Sequence, residues 1–253
     1  MFAVNENKFD KKGSVYSKYR PGYPAALFEY LTKKNIISAE SICADIGAGT
    51  GIFTKSLSHY AGSVFAAEPN ENMLFAAKNY LQGINNVTLI NSNAENTKLP
   101  SNSIDVVFAA QSFHWFDKNK FRSECKRILK PGGMVVLVWN NREEEQPLMI
   151  ENFKINQKFC HDFKGFSKGL HLANESLFCD FFNGEFEAKT FKNPIKYNED
   201  EFIGRNCSSS YAPVKGDENF NGYVVALKDL FLHFNQNGTV DYPYETVCYI
   251  GSV

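Results

Sequence analysis

An apolar run that ends in an acid and passes into glycines at alternate positions leaves a chain few ways to fold locally. Cys43-Ala44-Asp45-Ile46-Gly47-Ala48-Gly49-Thr50-Gly51 is such a run, and Ile52-Phe53-Thr54-Lys55-Ser56-Leu57 follows it with Phe53 and Leu57 at helical spacing. The pattern reads as a strand, a tight turn and a helix N-terminus. α/β folds bind nucleotide-like ligands at that junction.

The flanking sequence keeps the same rhythm. Pro21-Gly22-Tyr23-Pro24 stops any earlier helix, and 25–34 reads as an amphipathic one. Strands are expected at 41–45, 63–67, 87–90, 104–110 and 134–139, with helices at 52–60 and 72–81. Asp117 can cap a further helix through Lys130, and Pro131-Gly132-Gly133 then turns the chain. Strands alternating with helices predict a parallel sheet covered on both faces. After Asn140-Asn141-Arg142 the alternation stops. Helices are expected at 143–159, 174–182, 200–207 and 219–234, with strands at 186–197 and 244–250 extending the same sheet, the last of them antiparallel. No linker composition divides the chain, so one domain is expected over 1–253. Within it, 1–40 forms an N-terminal lid and helix, 41–142 the ligand-binding core, and 143–253 an insertion with the last two strands.

Composition excludes several function classes. Lys+Arg total 27 against 28 Asp+Glu, so no net field favours nucleic acid or an anionic membrane. No apolar run reaches the roughly 18 residues of a membrane span, and the N-terminus lacks the basic-then-apolar order of a signal peptide. The six cysteines are scattered singly, with no zinc-type spacing. His59, His161, His171 and His233 likewise stand in no ligand spacing, so no metal is expected. The chain reads as a cytoplasmic protein with reduced thiols, a monomer or homodimer acting on a small molecule.

The ligand of the glycine turn is narrowed by its acids. Glu68 ends the second strand, where a carboxylate can accept from two vicinal ribose hydroxyls. Asn93-Ala94-Glu95 follows the third strand and belongs at the same sheet edge. A ribose clamp suits a nicotinamide dinucleotide and an adenosyl ligand equally. The spacing Gly47-x-Gly49-x-Gly51 departs from the dinucleotide fingerprint, which has two residues before its third glycine. Asp45 at the loop's mouth would repel a pyrophosphate but suits an ammonium. S-adenosylmethionine carries an ammonium, a sulfonium and an adenosine, without phosphate.

The string Asp45-Ile-Gly-Ala-Gly-Thr-Gly51, the acid Glu68 with Pro69-Asn70, Asn93-Ala-Glu95, and Leu129-Lys-Pro-Gly-Gly133 before a strand together resemble the class I S-adenosylmethionine-dependent methyltransferases. Tyr16-x-x-x-Arg20-Pro-Gly-Tyr-Pro24 and Gln111-Ser-Phe-His-Trp-Phe116 resemble more narrowly the small-molecule branch related to trans-aconitate methyltransferases. The resemblance covers residues 14–142. It implies a Rossmann-like three-layer sandwich with a mostly parallel seven-stranded sheet, an antiparallel last strand and a helical insertion capping the acceptor pocket. It further implies S-adenosyl-L-methionine as cofactor. Gly47, Ala48, Gly49, Thr50 and Gly51 would approach the methionine part, with Asp45 facing the ammonium. Glu68 would hold the ribose, and Pro69, Met73, Asn93, Ala94 and Glu95 would border the adenine. Gln111 would lie near the methyl end, with Tyr16 and Arg20 folded over the site and Arg20 pairing the methionine carboxylate.

On the acceptor side the residues leave alternatives. His114 could be a general base or a packed histidine. Trp115 and Phe116 would wall the pocket, where aromatic faces suit a sulfonium. Arg142 could receive an anionic acceptor or pair with Glu143-Glu144-Glu145, themselves expected as a solvated helix start. Ser208-Ser209-Ser210-Tyr211 could bind substrate or end a helix, and Tyr211 is the candidate contact. The resulting expectation is methyl transfer to a small molecule, a carboxylic acid among the candidates. An NAD-linked oxidoreductase and a non-catalytic S-adenosylmethionine-binding protein are the competing readings.

Overall fold

The computed structural model describes residues 20–166 and 175–253. Its first half follows the expected alternation: α1 (Ala25–Lys33), β1 (Ile42–Ile46), α2 (Ile52–Leu57), β2 (Ser63–Ala67), α3 (Glu71–Tyr80), β3 (Val87–Ile90), β4 (Ile104–Ala110), α4 (Lys118–Ile128) and β5 (Leu129–Arg142). Helices α5 (Pro147–Phe159) and α6 (Glu175–Phe181) then precede β6 (Glu187–Lys192) and β7 (Ile195–Tyr197). The chain closes with α7 (Glu199–Cys207), α8 (Phe220–Phe234), β8 (Val240–Tyr242) and β9 (Tyr244–Gly251).

Seven strands form one sheet in the order β3-β2-β1-β4-β5-β9-β6. The contacts among β1 to β5 are parallel, and β9 runs antiparallel to both β5 and β6. Strand order reverses at β1, where the chain crosses from β3 to β4. The crevice at the carboxyl ends of β1 and β4 is therefore the expected ligand position of an open α/β sheet.

Alternation along each strand builds the three layers, because neighbouring side chains point to opposite faces. Cys43, Val64, Val106, Phe108, Val136 and Val138 pack with Leu27, Phe28 and Leu31 of α1 and Phe53 and Leu57 of α2. Their neighbours Ala44, Val107, Ala109, Val135 and Leu137 face the other way, onto Phe121, Cys125 and Ile128 of α4 and Phe178 and Phe181 of α6. A third cluster joins α5, α7, α8, β7 and β8 around Met149, Phe202, Tyr223 and Tyr242.

Several details depart from expectation. Asp117 does cap α4, accepting from the Lys120 N–H, but the helix ends at Ile128 because Leu129 is already extended. Leu129 then pairs with Ile104 and Met134 with Val106, so Lys130-Pro131-Gly132-Gly133 bulges out within β5. The acidic run Glu143-Glu144-Glu145 precedes α5 instead of opening it, since that helix begins at Pro147. Proline suits a first helical turn, where its missing N–H costs nothing. The single strand expected at 186–197 is two: β6 pairs with β9, whereas β7 pairs with β8 in a separate ribbon. Strand β8 is an addition to the expected elements. Asn237-Gly238, both at positive φ before it, is the turn signal that marks it.

Candidate active site

A cavity of about 410 Å³ opens at the carboxyl edge of the sheet, lined from β1, β2, β4 and β5 and the loops after them. Its floor is the glycine loop, and the three glycines have three different reasons to be there. At Gly47, φ is +71° and an added Cβ would lie 2.6 Å from the Ser112 Cβ. At Gly51, which precedes α2 with φ +84°, a Cβ would meet Leu81 at 2.8 Å. Gly49, with φ +58°, has nothing within 4 Å of such a Cβ, so its backbone is open to whatever enters the cavity.

Two carboxylates stand beside this loop. Glu68 accepts from the Gly49 N–H at 2.8 Å and from the Asn70 N–H at 2.9 Å, which ties the loop to the end of β2. Burial raises its carboxyl above the ordinary range, against the pull of those two bonds. Asp45 is fully buried, and one oxygen accepts from the Thr54 hydroxyl at 2.6 Å. Its Oδ1 has no protein partner. Burial, helped by the charge of Glu68 and opposed by Thr54, pushes Asp45 up to about 7. An unpartnered buried carboxylate oxygen on a cavity wall fits an ammonium, not a phosphate.

The remaining wall comes from chain crossings that sequence order does not show. Gln111 directly follows β4 with φ +59°, a left-handed conformation that costs a non-glycine residue about 1–2 kcal/mol. Its amide donates to the Asn140 carbonyl at 3.0 Å. The Asn140 side chain donates to the Gly22 carbonyl at 3.0 Å and accepts from the Thr246 hydroxyl at 2.5 Å. Asn193 donates to the same Gly22 carbonyl at 2.9 Å, so two strand ends hold the Arg20-Pro21-Gly22 segment over the cavity. Tyr23 sets its ring edge-on to Phe53 at 4.9 Å, completing that side.

Of the cofactor residues expected from sequence, Arg20, Asp45, Gly47, Ala48, Gly49, Thr50, Glu68, Pro69, Met73, Asn93, Ala94, Glu95 and Gln111 line this one cavity. Gly51 stands behind it, and Tyr16 lies outside the described residues. Glu95 has a second engagement, accepting from the Asp117 N–H at 2.9 Å at the start of α4. Trp115 and Phe116 are on the wall, whereas His114, Arg142 and Tyr211 are not. The catalytic role expected of His114 thus lacks its geometry. Burial, with Lys118 nearby, also presses its imidazole down to about 4, too weak a base for work near neutrality. Tyr23, Asn70, Ser112 and Asn140 line the cavity without having been picked out. Asn70 could have been found, since it also caps α3 by accepting from the Met73 N–H at 3.0 Å. Ser208 ends α7, its hydroxyl donating to the Arg205 carbonyl at 2.8 Å. Tyr211 packs edge-on to Phe163 at 4.8 Å.

Sheet order, glycine loop and paired acids define a Rossmann-like α/β domain with a ligand-sized cavity at its switch point. A family model described as a methyltransferase domain matches residues 44–137. A methyltransferase-like protein of Schizosaccharomyces pombe is 32% identical over 152 residues, covering 60% of this chain and 58% of its own. A malonyl-[acyl-carrier protein] O-methyltransferase of Methylococcus capsulatus is 32% identical over 99 residues, 35% of this chain and 34% of that one. The chain thus spans only part of the length of these relatives. Among solved structures, a putative type II methyltransferase from Anaeromyxobacter dehalogenans superposes with a TM-score of 0.67. It covers 92% of this chain and 96% of its own at 22% identity, a likeness of fold. Residues 44–137 thus match a methyltransferase domain, for which S-adenosylmethionine is the cofactor, and the chain as a whole shares the fold of a solved methyltransferase.

The residues present fit that cofactor. Asp45 would hold the ammonium, Glu68 the ribose, and the open Gly49 backbone the methionine part. One consequence is a pH dependence. The folded carboxyl of Asp45 holds its proton up to about 7 against an ordinary 3.8, so its contribution to stability is full below 3.8 and lost as pH rises through 7. Ligand affinity runs the opposite way, because only the ionised form attracts an ammonium. S-adenosylhomocysteine binding is expected to tighten from about pH 5.5 to about 7.5, and Asp45→Asn should flatten that rise. Calorimetric titration across this range checks it, and an equal slope in the variant would remove Asp45 from the contact.

Among the described residues no cluster of His, Cys, Asp or Glu could hold a metal. No helix among them is long and apolar enough to cross a membrane.

Proposed function

We propose that the protein transfers a methyl group from S-adenosylmethionine to a small carboxylic acid. The observation that carries the reading is the cavity in which the Asp45 and Glu68 carboxylates flank the open Gly49 backbone. When bound, the cofactor supplies a methyl group activated by a cationic sulfur, which departs with the carbon–sulfur electron pair. The chain's own residues then have positioning as their main task, and alignment of that kind can contribute roughly 7–11 kcal/mol. Gln111 and Asn140 fix the end of the cavity where β4 and β5 finish. Trp115 and Phe116 contribute aromatic faces that exclude water and suit a cationic sulfur. We place the acceptor side in 143–253, where α5, α7 and α8 form a cluster of their own with β7 and β8.

A carboxylate acceptor is already ionised near neutrality and needs no general base. That suits a site in which His114 is neutral and off the cavity wall. The O-methyltransferase named above, which acts on a malonyl group, lends the acid reading support. His114→Gln is expected to leave kcat within about threefold of wild type across pH 6–8. A hundredfold loss with a displaced pH profile would restore the base and point to a hydroxyl or amine acceptor.

The direct test incubates the protein with isotopically labelled S-adenosylmethionine and a panel of small acids, alcohols and amines. Label is expected in methyl esters of acids. Binding of S-adenosylhomocysteine without transfer to any class would favour a non-catalytic binder. Tight NADH binding without it would favour an oxidoreductase and end this reading.

A further inference from the structure

Three strands change character in the same way as they approach the cofactor cavity. On the sheet face that α1 covers, β5 presents Val136 and Val138 and then Asn140. On that face β9, read toward the cavity, presents Ile250 and Cys248 and then Thr246. Phe191 of β6 packs there too, and Asn193 follows it just past the strand's end. Each row is apolar until the cavity edge and then turns polar. Register brings the polar ends together. Thr246 lies directly opposite Asn140, and the Asn193 N–H donates to the Tyr244 carbonyl at 2.8 Å, extending the β6–β9 pairing by one bond. The segment leading into α1 crosses this corner, and its Gly22 carbonyl meets the two asparagines.

A carbonyl can only accept, so both amides turn their nitrogens to Gly22, Asn140 at 3.0 Å and Asn193 at 2.9 Å. That choice leaves the Asn140 oxygen facing Thr246, whose hydroxyl therefore donates to it at 2.5 Å. The Asn193 amide gives a further bond to the same oxygen at 3.2 Å. Thr246 thus orients the Asn140 amide, and the two amides together fix the Gly22 carbonyl. Both Thr246 and Asn193 are buried, so water competes poorly for these bonds. Filling the corner would take only one donor and apolar neighbours. Two amides oriented by a hydroxyl also specify where the carbonyl sits. That position matters at the cavity, because Arg20, Pro21 and Tyr23, on either side of Gly22, line it. Asn140 lines it as well, whereas Asn193 and Thr246 stand behind the wall.

We propose that Asn193 and Thr246 are positioning residues for the cofactor. Acting through Asn140 and the Gly22 carbonyl, they hold Arg20, Pro21 and Tyr23 as a fixed cover on the cavity and so set how slowly the cofactor leaves. A covered ligand departs only when the bonds holding its cover open, so the effect falls on dissociation. Association is spared, because Asp45 and Glu68 on the opposite wall are untouched. Asn193 also stands between β6 and β7, where the chain leaves the main sheet for the α5, α7 and α8 cluster. The cover is therefore held from the half of the chain assigned to the acceptor. This inference rests on the methyltransferase reading and adds to it the residues that retain the cofactor.

The test is stopped-flow measurement of S-adenosylhomocysteine association and dissociation on the full chain. Thr246→Val keeps the shape and loses the hydroxyl, and should speed dissociation about five- to tenfold, the scale of one hydrogen bond. Association should stay within about twofold of wild type. Thr246→Ser restores the donor and should return dissociation to within about twofold of wild type. Asn193→Ala should also speed release. Combining it with Thr246→Val should give less than the product of the two effects, because both act through one carbonyl. Wild-type dissociation in Thr246→Val and Asn193→Ala overturns the proposal, and so does a Thr246→Ser variant as fast as Thr246→Val. A lowered melting temperature with unchanged release would show a role in folding alone and overturns it too. A second measurement needs no variant. Bound S-adenosylhomocysteine should slow hydrogen exchange at the Gly22 and Tyr23 amides of the wild-type protein, and unchanged exchange there overturns the cover. Wild-type protein that binds no S-adenosylhomocysteine would instead refute the methyltransferase reading beneath it.

Discussion

Glu68→Ala is expected to weaken S-adenosylhomocysteine binding by on the order of 100-fold, about 3 kcal/mol, the scale of losing charge-assisted hydrogen bonds to two ribose hydroxyls. The carboxylate has two tasks, and the substitution removes both. It offers lone pairs to the ligand, and it holds the Gly49 and Asn70 N–H groups at 2.8 and 2.9 Å, which sets the loop's position before any ligand arrives. Glu68→Gln separates them. Its carbonyl can still accept one N–H, but its amide sets a donor against the other, so an intermediate affinity is expected. Calorimetry on the three proteins decides the matter. Wild-type affinity in Glu68→Ala would mean that the acid only braces the loop.

The second large effect contrasts neighbouring glycines. Gly47→Ala is expected to cost about 2–5 kcal/mol of stability, because left-handed backbone penalises a Cβ and a contact at 2.6 Å overpacks the site. Against a typical total of about 5–15 kcal/mol, that shifts the unfolding midpoint markedly. Gly49→Ala has open space and should cost only about 1–2 kcal/mol from its φ of +58°. Cofactor binding should nevertheless fall at least about tenfold, because the new methyl group occupies the open face of the loop. Urea unfolding and S-adenosylhomocysteine titration on both variants test the pair. Equal stability losses would mean that Ser112 yields, and unchanged affinity in Gly49→Ala would place the ligand away from the loop.

The core was legible because its constraints are local. Alternating side chains in β1, β2, β4 and β5 must bury both faces, and the acids at the strand ends follow from where each apolar run stops. Pairing partners were less legible. Residues 186–197 carry enough strand character for one element, yet the chain divides them between β9 and β8. The acids Glu143-Glu144-Glu145 carry the charge of a helix start, but Pro147 sets the first turn. His114 looked like a candidate base because it follows β4. Only packing decides that its Nδ1 is buried and that its ring stands off the cavity wall.

The opening glycine run, by itself, determined a strand, a turn and a helix, and with Asp45 and Glu68 it narrowed the expected ligand toward an adenosyl one carrying an ammonium. Steric demand and charge at fixed spacing are properties of the chain, so they can be read from it. What lies at the far end of the cavity was decided only in three dimensions. Asn140, Asn193 and Thr246 meet around Gly22 from distant parts of the chain. Arg205, an ordinary position on an amphipathic helix, reaches Tyr244 and comes within the field of Arg142 only because α7 packs against β9. Burial sets the surroundings of both arginines, and burial is a property of the tertiary structure alone.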